Sequence, residues 1–140
     1  MAKLVVDASL AAAWCFPDEH TEYTNGVLRI VGTTLDPIAP ALWAYEVRNT
    51  ILMGLKRGRI TKEGVHKLLL FLNELNVQLV DPVSYDAVFH LAEVHGLTVY
   101  DAAYLDLALR EGVALASLDD ALCKAARMAG VPLFKVPQST

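Results

Sequence analysis

Short β-branched runs alternate with longer helical patterns along the chain, and this alternation restricts the fold more than any other feature. Leu4-Val5-Val6, Asp36 to Ala39, Val77 to Val80 and Val113 to Ser117 read as strands, with a last short strand from Val131 to Val136. Helical segments lie between them: one through Ala11 to Trp14, one from about His20 to Val31, one opened by Pro40 and closed at Gly58, and one from Thr61 to about Leu75. A further helix starts at Ser84 or Asp86 and stops at His95-Gly96. Another runs from Tyr100 to Arg110 before Gly112, and Asp120 to Met128 makes the last. Pro suits a first helical turn, where no N–H is needed, and Gly suits the position just past the end. Strands that are apolar without interruption and separated by helices belong to a parallel sheet covered on both faces. The expected fold is therefore α/β, a doubly wound three-layer sandwich with a central parallel sheet, as a single domain over residues 1–140. Ligands of such sheets bind beyond the carboxyl ends of the strands, near the point where strand order reverses.

The apolar content has to be placed. Hydrophobic residues make up 54% of the 140, and mean hydropathy is +0.36. A membrane span needs about 18–20 continuous apolar residues, and the longest uncharged stretch, Ala8 to Pro17, is far shorter. The excess is expected in a buried core and an apolar interface. Met-Ala-Lys-Leu-Val-Val-Asp has no signal-peptide organisation, so a cytoplasmic location is expected. Cys15 and Cys123 have no metal-like spacing and read as small core residues in a reducing compartment. The net charge of −4 runs against bulk nucleic-acid binding, but a formal count omits any cation that carboxylates hold.

Four carboxylates stand out. Asp7 follows the first strand and Asp119 follows Val113 to Ser117, so in a parallel sheet both emerge at one edge. Each can also serve simply as the N-cap of the next helix. Asp101 sits in a first helical turn, where the dipole favours an acid. Glu46 differs, because nearly every neighbour from Ala41 to Val47 is apolar. An unpaired carboxylate there costs several kcal/mol or shifts until it is neutral. Asn49, three residues on, shares its helix face. Asp106 reads as surface, and Asp120 as a first-turn acid or an auxiliary site residue. Apart from Arg48, which does not stand one helical turn from Glu46, no lysine or arginine accompanies the four acids within their segments. Like charges brought together repel unless something positive lies between them, and a hard divalent cation, Mg²⁺ or Mn²⁺, answers that need.

These residues stand in a recognisable order: Leu4-Val5-Val6-Asp7-Ala8-Ser9, then Glu46-Val47-Arg48-Asn49, then Tyr100-Asp101-Ala102-Ala103-Tyr104, then Ala116-Ser117-Leu118-Asp119. The series resembles the PIN domain, and within it the VapC toxins of toxin–antitoxin pairs, along the whole chain. The resemblance implies an endoribonuclease that uses one or two Mg²⁺ or Mn²⁺ ions. It implies that Asp7, Glu46, Asp101 and Asp119 are the acidic positions, and that Ser117, Ser9 and Asn49 are polar groups around them. It also implies a homodimer and a small antitoxin protein that covers the site.

Phosphodiester hydrolysis needs an activated water and charge relief on phosphate, which a divalent ion supplies. Asp7, Asp101 and Asp119 are expected to coordinate it, directly or through water, with Glu46 on a water of the ion. Ser117 and Asn49 are expected to orient the carboxylates. Five of the 12 basic residues, Lys56, Arg57, Arg59, Lys62 and Lys67, fall between positions 56 and 67. They form either a solvated tip between helices or a basic rim for RNA phosphate. Trp14, Phe16, Trp43 and Tyr45 could stack on bases, but their spacing fits core or interface packing. Two other readings stay open: a nuclease of the same fold in RNA processing without a toxin role, and a non-catalytic Mg²⁺-binding regulatory domain. The latter predicts a lysine beyond a late strand, and Lys135 falls within the last strand region instead.

Overall fold

In the structure, a computed structural model that describes residues 1–137, the first strand becomes buried from Leu4 onward because it lies inside the sheet. β1 (Ala2–Val6), β2 (Leu35–Ala39), β3 (Gln78–Leu79) and β4 (Leu115–Ala116) form one sheet of order β3-β2-β1-β4. Every pairing is parallel: Val5 lies opposite both Ile38 and Leu115, and Val6 opposite Ala116. The chain winds outward from β1 through β2 to β3, then returns past β1 to β4. Strand order therefore reverses between β1 and β4, which is where such sheets bind ligands.

Among the described residues seven α-helices cover the sheet: α1 (Ala8–Cys15), α2 (Glu22–Ile30), α3 (Leu42–Lys56), α4 (Lys62–Glu74), α5 (Tyr85–His95), α6 (Val99–Glu111) and α7 (Asp120–Ala129). Most begin on a side-chain cap. Asp7, Thr21, Thr61, Ser84, Thr98 and Asp119 each accept a backbone N–H that would otherwise be unpaired. Gly96 and Gly112 close α5 and α6 in left-handed backbone, at φ 65° and 64°, a conformation a side chain would oppose. The main core joins Leu4, Val5 and Val6 to Leu10, Ile38, Ile51, Leu105 and Leu115, each worth about 1.5–3 kcal/mol when buried. Trp14, Phe16 and Trp43 belong to it, whereas Tyr45 is 80% exposed. A smaller cluster of Val88, Ala92 and Ala102 seals α5 onto α6. Among the described residues, no helix is long and apolar enough to cross a membrane.

Two expectations need correction. Residues 131–136 do not form a strand: Leu133 makes a single parallel bridge to Leu115. The Leu115 N–H donates to the Pro132 carbonyl at 3.0 Å, and the Phe134 N–H to the Leu115 carbonyl at 2.8 Å. Pro132 has no N–H of its own, which limits any longer ladder. Asp106 is buried, not at the surface. α6 buries residues on almost every side, and the Arg110 Nε donates to the Asp106 carboxylate at 2.9 Å from one turn away, so the acid enters the interior already paired. Both cysteines are free thiols, and burial pushes Cys15 up to about 11.

Candidate metal centre

Asp7 leaves the end of β1 at the switch point and caps α1, accepting the Leu10 N–H at 3.0 Å. The Ser9 hydroxyl donates to it at 2.8 Å, and the Ser117 hydroxyl donates to its other oxygen. Both serines accept as well: Ser9 from the Leu118 N–H and Ser117 from the Asp119 N–H, each at 3.0 Å. The segment after β4 is thereby tied to the segment after β1. Asp119 then caps α7, accepting the Leu122 N–H at 2.8 Å. Capping and site-building are therefore not alternatives for these two acids, because the caps help fix where the carboxylates sit. Asp7 is only 3% exposed. Burial pushes its carboxyl up to about 6, with a smaller push from Asp119 and against the pull of Ser117, Leu10 and Ser9.

Glu46 reaches the same region from α3. Its half-buried carboxylate accepts the Tyr104 hydroxyl at 2.7 Å. Burial and then repulsion from Asp101 raise it above the usual glutamate range, while the tyrosine hydrogen bond opposes them. Asp101 lies in the first turn of α6, its N–H held by the Thr98 hydroxyl at 3.1 Å. It is raised by burial first and by Asp119 next, with the Thr98 hydrogen bond opposing. Tyr104 is buried, and its hydroxyl is driven far up, chiefly by burial, then by the bond to Glu46 and the fields of Glu46, Asp7 and Asp101. The fields link Asp7 to Asp119, Asp119 to Asp101, and Asp101 to Glu46.

Tyr104 is the residue that sequence reasoning left without a job. The signal was available: it sits three residues after Asp101 on one helix face, and a buried tyrosine hydroxyl generally finds a partner. Asn49 is placed differently from its expected role. It is exposed and lines a hollow beside α3, and no hydrogen bond joins it to an acid among the described residues. Asp120 is exposed. Of the basic residues, Arg59 is held by Asp18 and Glu19 at 3.1 and 3.2 Å, with its guanidinium 4.0 Å over the Phe16 ring. Lys67 pairs with Glu63 at 3.9 Å. Among the described residues, Lys56, Arg57 and Lys62 make no ion pair.

The four acids have no lysine or arginine among their hydrogen-bond or ion-pair partners in the described residues. Their donors are all carboxylate oxygens, and three are lifted by burial and mutual repulsion. That is the chemistry a hard divalent cation relieves. Among the described residues no three His, Cys, Asp or Glu side chains are close enough to ligate one ion together. An ion held here would be met directly by fewer than three of these side chains, with its remaining positions left to water.

The chain is similar to known proteins in sequence and in fold. Residues 4–128 match the profile of the PIN domain. Ribonuclease VapC3 of Pyrobaculum aerophilum is 38% identical over 126 residues, which are 87% of this chain and 93% of that protein. Among solved structures, PAE2754 from Pyrobaculum aerophilum matches with a TM-score of 0.64 at 22% identity, covering 89% of this chain and 86% of that one. FitAcB from Neisseria gonorrhoeae matches with a TM-score of 0.67 at 18% identity, covering 94% and 96%. These two structures share the fold.

Proposed function

Because the chain belongs to the PIN domain family, we propose that it is an endoribonuclease, the toxin of a toxin–antitoxin pair, that hydrolyses RNA phosphodiester bonds with a divalent metal. One observation carries the metal-dependent reading: four carboxylates from the ends of two strands and from two helices act on one another electrostatically, with no basic partner among the described residues. The name of the VapC3 relative supports the activity.

Asp7, Asp101 and Asp119 would hold Mg²⁺ or Mn²⁺, in part through water, and Glu46 would bind the same ion through one of its waters. When bound, such an ion supplies Lewis acidity at the phosphate and makes water acidic near neutral pH. Ser9 and Ser117 fix the Asp7 carboxylate with two hydroxyl donors. Glu46, aligned by the Tyr104 hydroxyl, accepts the proton of the attacking water; a carboxylate lifted above its usual range is a better base for that step. Lys56, Arg57 and Lys62 hold the RNA backbone, whereas Arg59 braces the turn after α3 through its acids and Phe16.

An antitoxin and a second copy of the chain are the protein partners. Exposed apolar side chains on α5 and at the start of α6, Tyr85 at 75%, Phe89 at 59% and Tyr100 at 66%, are compatible with such a surface. The protein would work as one domain in the cytoplasm, where its two thiols stay reduced. The test is cleavage of a mixed RNA pool with and without Mn²⁺, with the cut ends mapped. Metal-dependent cutting that Asp7→Asn abolishes supports the proposal, and no cutting under any divalent ion refutes it. Rescue of growth by the product of an adjacent small reading frame separates a toxin from a housekeeping RNA-processing nuclease.

A further inference from the structure

One turn along α3 from Glu46, the surface opens into a hollow of about 190 Å³. Phe16, almost wholly buried, is part of its lining, seated against α3 because Gly54 has no side chain: a Cβ there would stand 3.0 Å from the ring and 2.9 Å from Ile60. Asn49, Thr50, Met53, Arg57 and Arg59 complete the lining. Glu46, Asn49, Thr50 and Met53 are spaced i, i+3, i+4 and i+7, so the acid and the hollow share one helix face. At 1.5 Å per residue, Asn49 lies about 4.5 Å along the axis from Glu46.

The lining selects the occupant. It contains no carboxylate, which rules against a second cation. The Arg59 charge is already taken by Asp18 and Glu19, so the site is not a phosphate clamp built on two arginines. What remains is the half-buried Met53 side chain, the flat Arg59 guanidinium laid over the otherwise buried Phe16 ring, and the Asn49 amide, which makes no hydrogen bond among the described residues and offers both donor and acceptor. The Thr50 hydroxyl donates to the Glu46 carbonyl at 3.1 Å and keeps its lone pairs. Arg57 makes no ion pair among the described residues. A guanidinium plane and a thioether beside an amide, with a second cation in the same lining, match a single nucleobase and its phosphate.

We propose that this hollow receives the RNA base adjoining the scissile bond, with its edge read by Asn49 and its phosphate met by Arg57. The proposal rests on the ribonuclease reading above and adds to it the place where sequence preference arises.

The test maps cut sites in a randomised RNA pool with Mn²⁺ and compares oligonucleotides with and without a base at each position flanking the cut. The wild-type protein should favour one base at one flanking position and cut the matching abasic substrate about tenfold more slowly, the scale of one lost base contact. In Asn49→Leu that penalty should fall below about twofold and the base preference should flatten. Equal use of all four bases by the wild type, or a preference unchanged in Asn49→Leu, overturns the proposal while leaving the ribonuclease reading intact. If wild type cuts no RNA, both fall. Should Asn49→Leu fold poorly, Asn49→Asp exchanges the amide donor for an acceptor. A changed preferred base then supports the proposal, and the same preferred base refutes it.

Discussion

Replacing Asp7 by asparagine should make the metal-free protein more stable while destroying its activity. Asp7 is 3% exposed, and its carboxyl is pushed up from 3.8 to about 6, which corresponds to about 3 kcal/mol against the charged folded state. A carboxyl raised on folding binds its proton more tightly in the native state. Its penalty is therefore absent below about pH 4, grows between pH 4 and 6, and is fully present at pH 7. Asparagine removes the charge but keeps an oxygen for the Leu10 N–H. It loses the full match to Ser117, whose hydroxyl must also accept from the Asp119 N–H, at about 1 kcal/mol. The net gain is about 2 kcal/mol at pH 7, or roughly 7 °C in Tm for a chain of this size. Thermal melts in EDTA at pH 4 and pH 7 measure it: the variant should melt higher at pH 7, with the gap closing towards pH 4. A variant less stable than wild type at pH 7 without metal would refute the reasoning, because Asp7 would then be a structural acid whose charge the fold already satisfies.

Tyr104→Phe should lower Mn²⁺ affinity by about 10- to 100-fold, as loss of a hydrogen bond behind a metal-binding group does, and lower stability by only about 1 kcal/mol; Mn²⁺ titration beside urea unfolding reads both. Neutralising Arg57 and Lys62 together should weaken binding of single-stranded RNA and reduce the slope of log affinity against log salt by about 1.4, which binding at three salt concentrations will show. Gly54→Ala should cost about 1–3 kcal/mol by forcing Phe16 and Ile60 off α3, read as a lower urea midpoint with an unchanged slope.

The sheet and most helix ends were legible because they depend on local chemistry. Thr61, Ser84, Gly96 and Gly112 act where they stand in the chain, and the uninterrupted apolar run Leu4-Val5-Val6 calls for cover on both faces. The failures lie where a distant partner decides. Asp106 looked like surface because its burial depends on what packs around α6, although its Arg110 partner stands one turn along the same helix. Val131 to Val136 had strand composition, yet it reaches the edge of β4 for one bridge only. In the candidate site the acids could be picked out by their positions after strands and by the absence of nearby bases. That Glu46 meets Tyr104 across 58 residues, or that Arg59 is occupied by Asp18 and Glu19, could not. Asn49 shows the limit most plainly: its spacing puts it on the Glu46 face, but only the packing of Phe16 against Gly54 makes that face a hollow.

The central claim is that separate acids hold one divalent cation, and a calorimetric titration of the metal-free protein with Mn²⁺ tests it without relying on RNA. Wild type should bind Mn²⁺ with release of protons near pH 6, since Asp7 is partly protonated there, and Asp101→Asn should bind at least about tenfold more weakly while staying folded. Equal Mn²⁺ affinity in wild type and Asp101→Asn would contradict it.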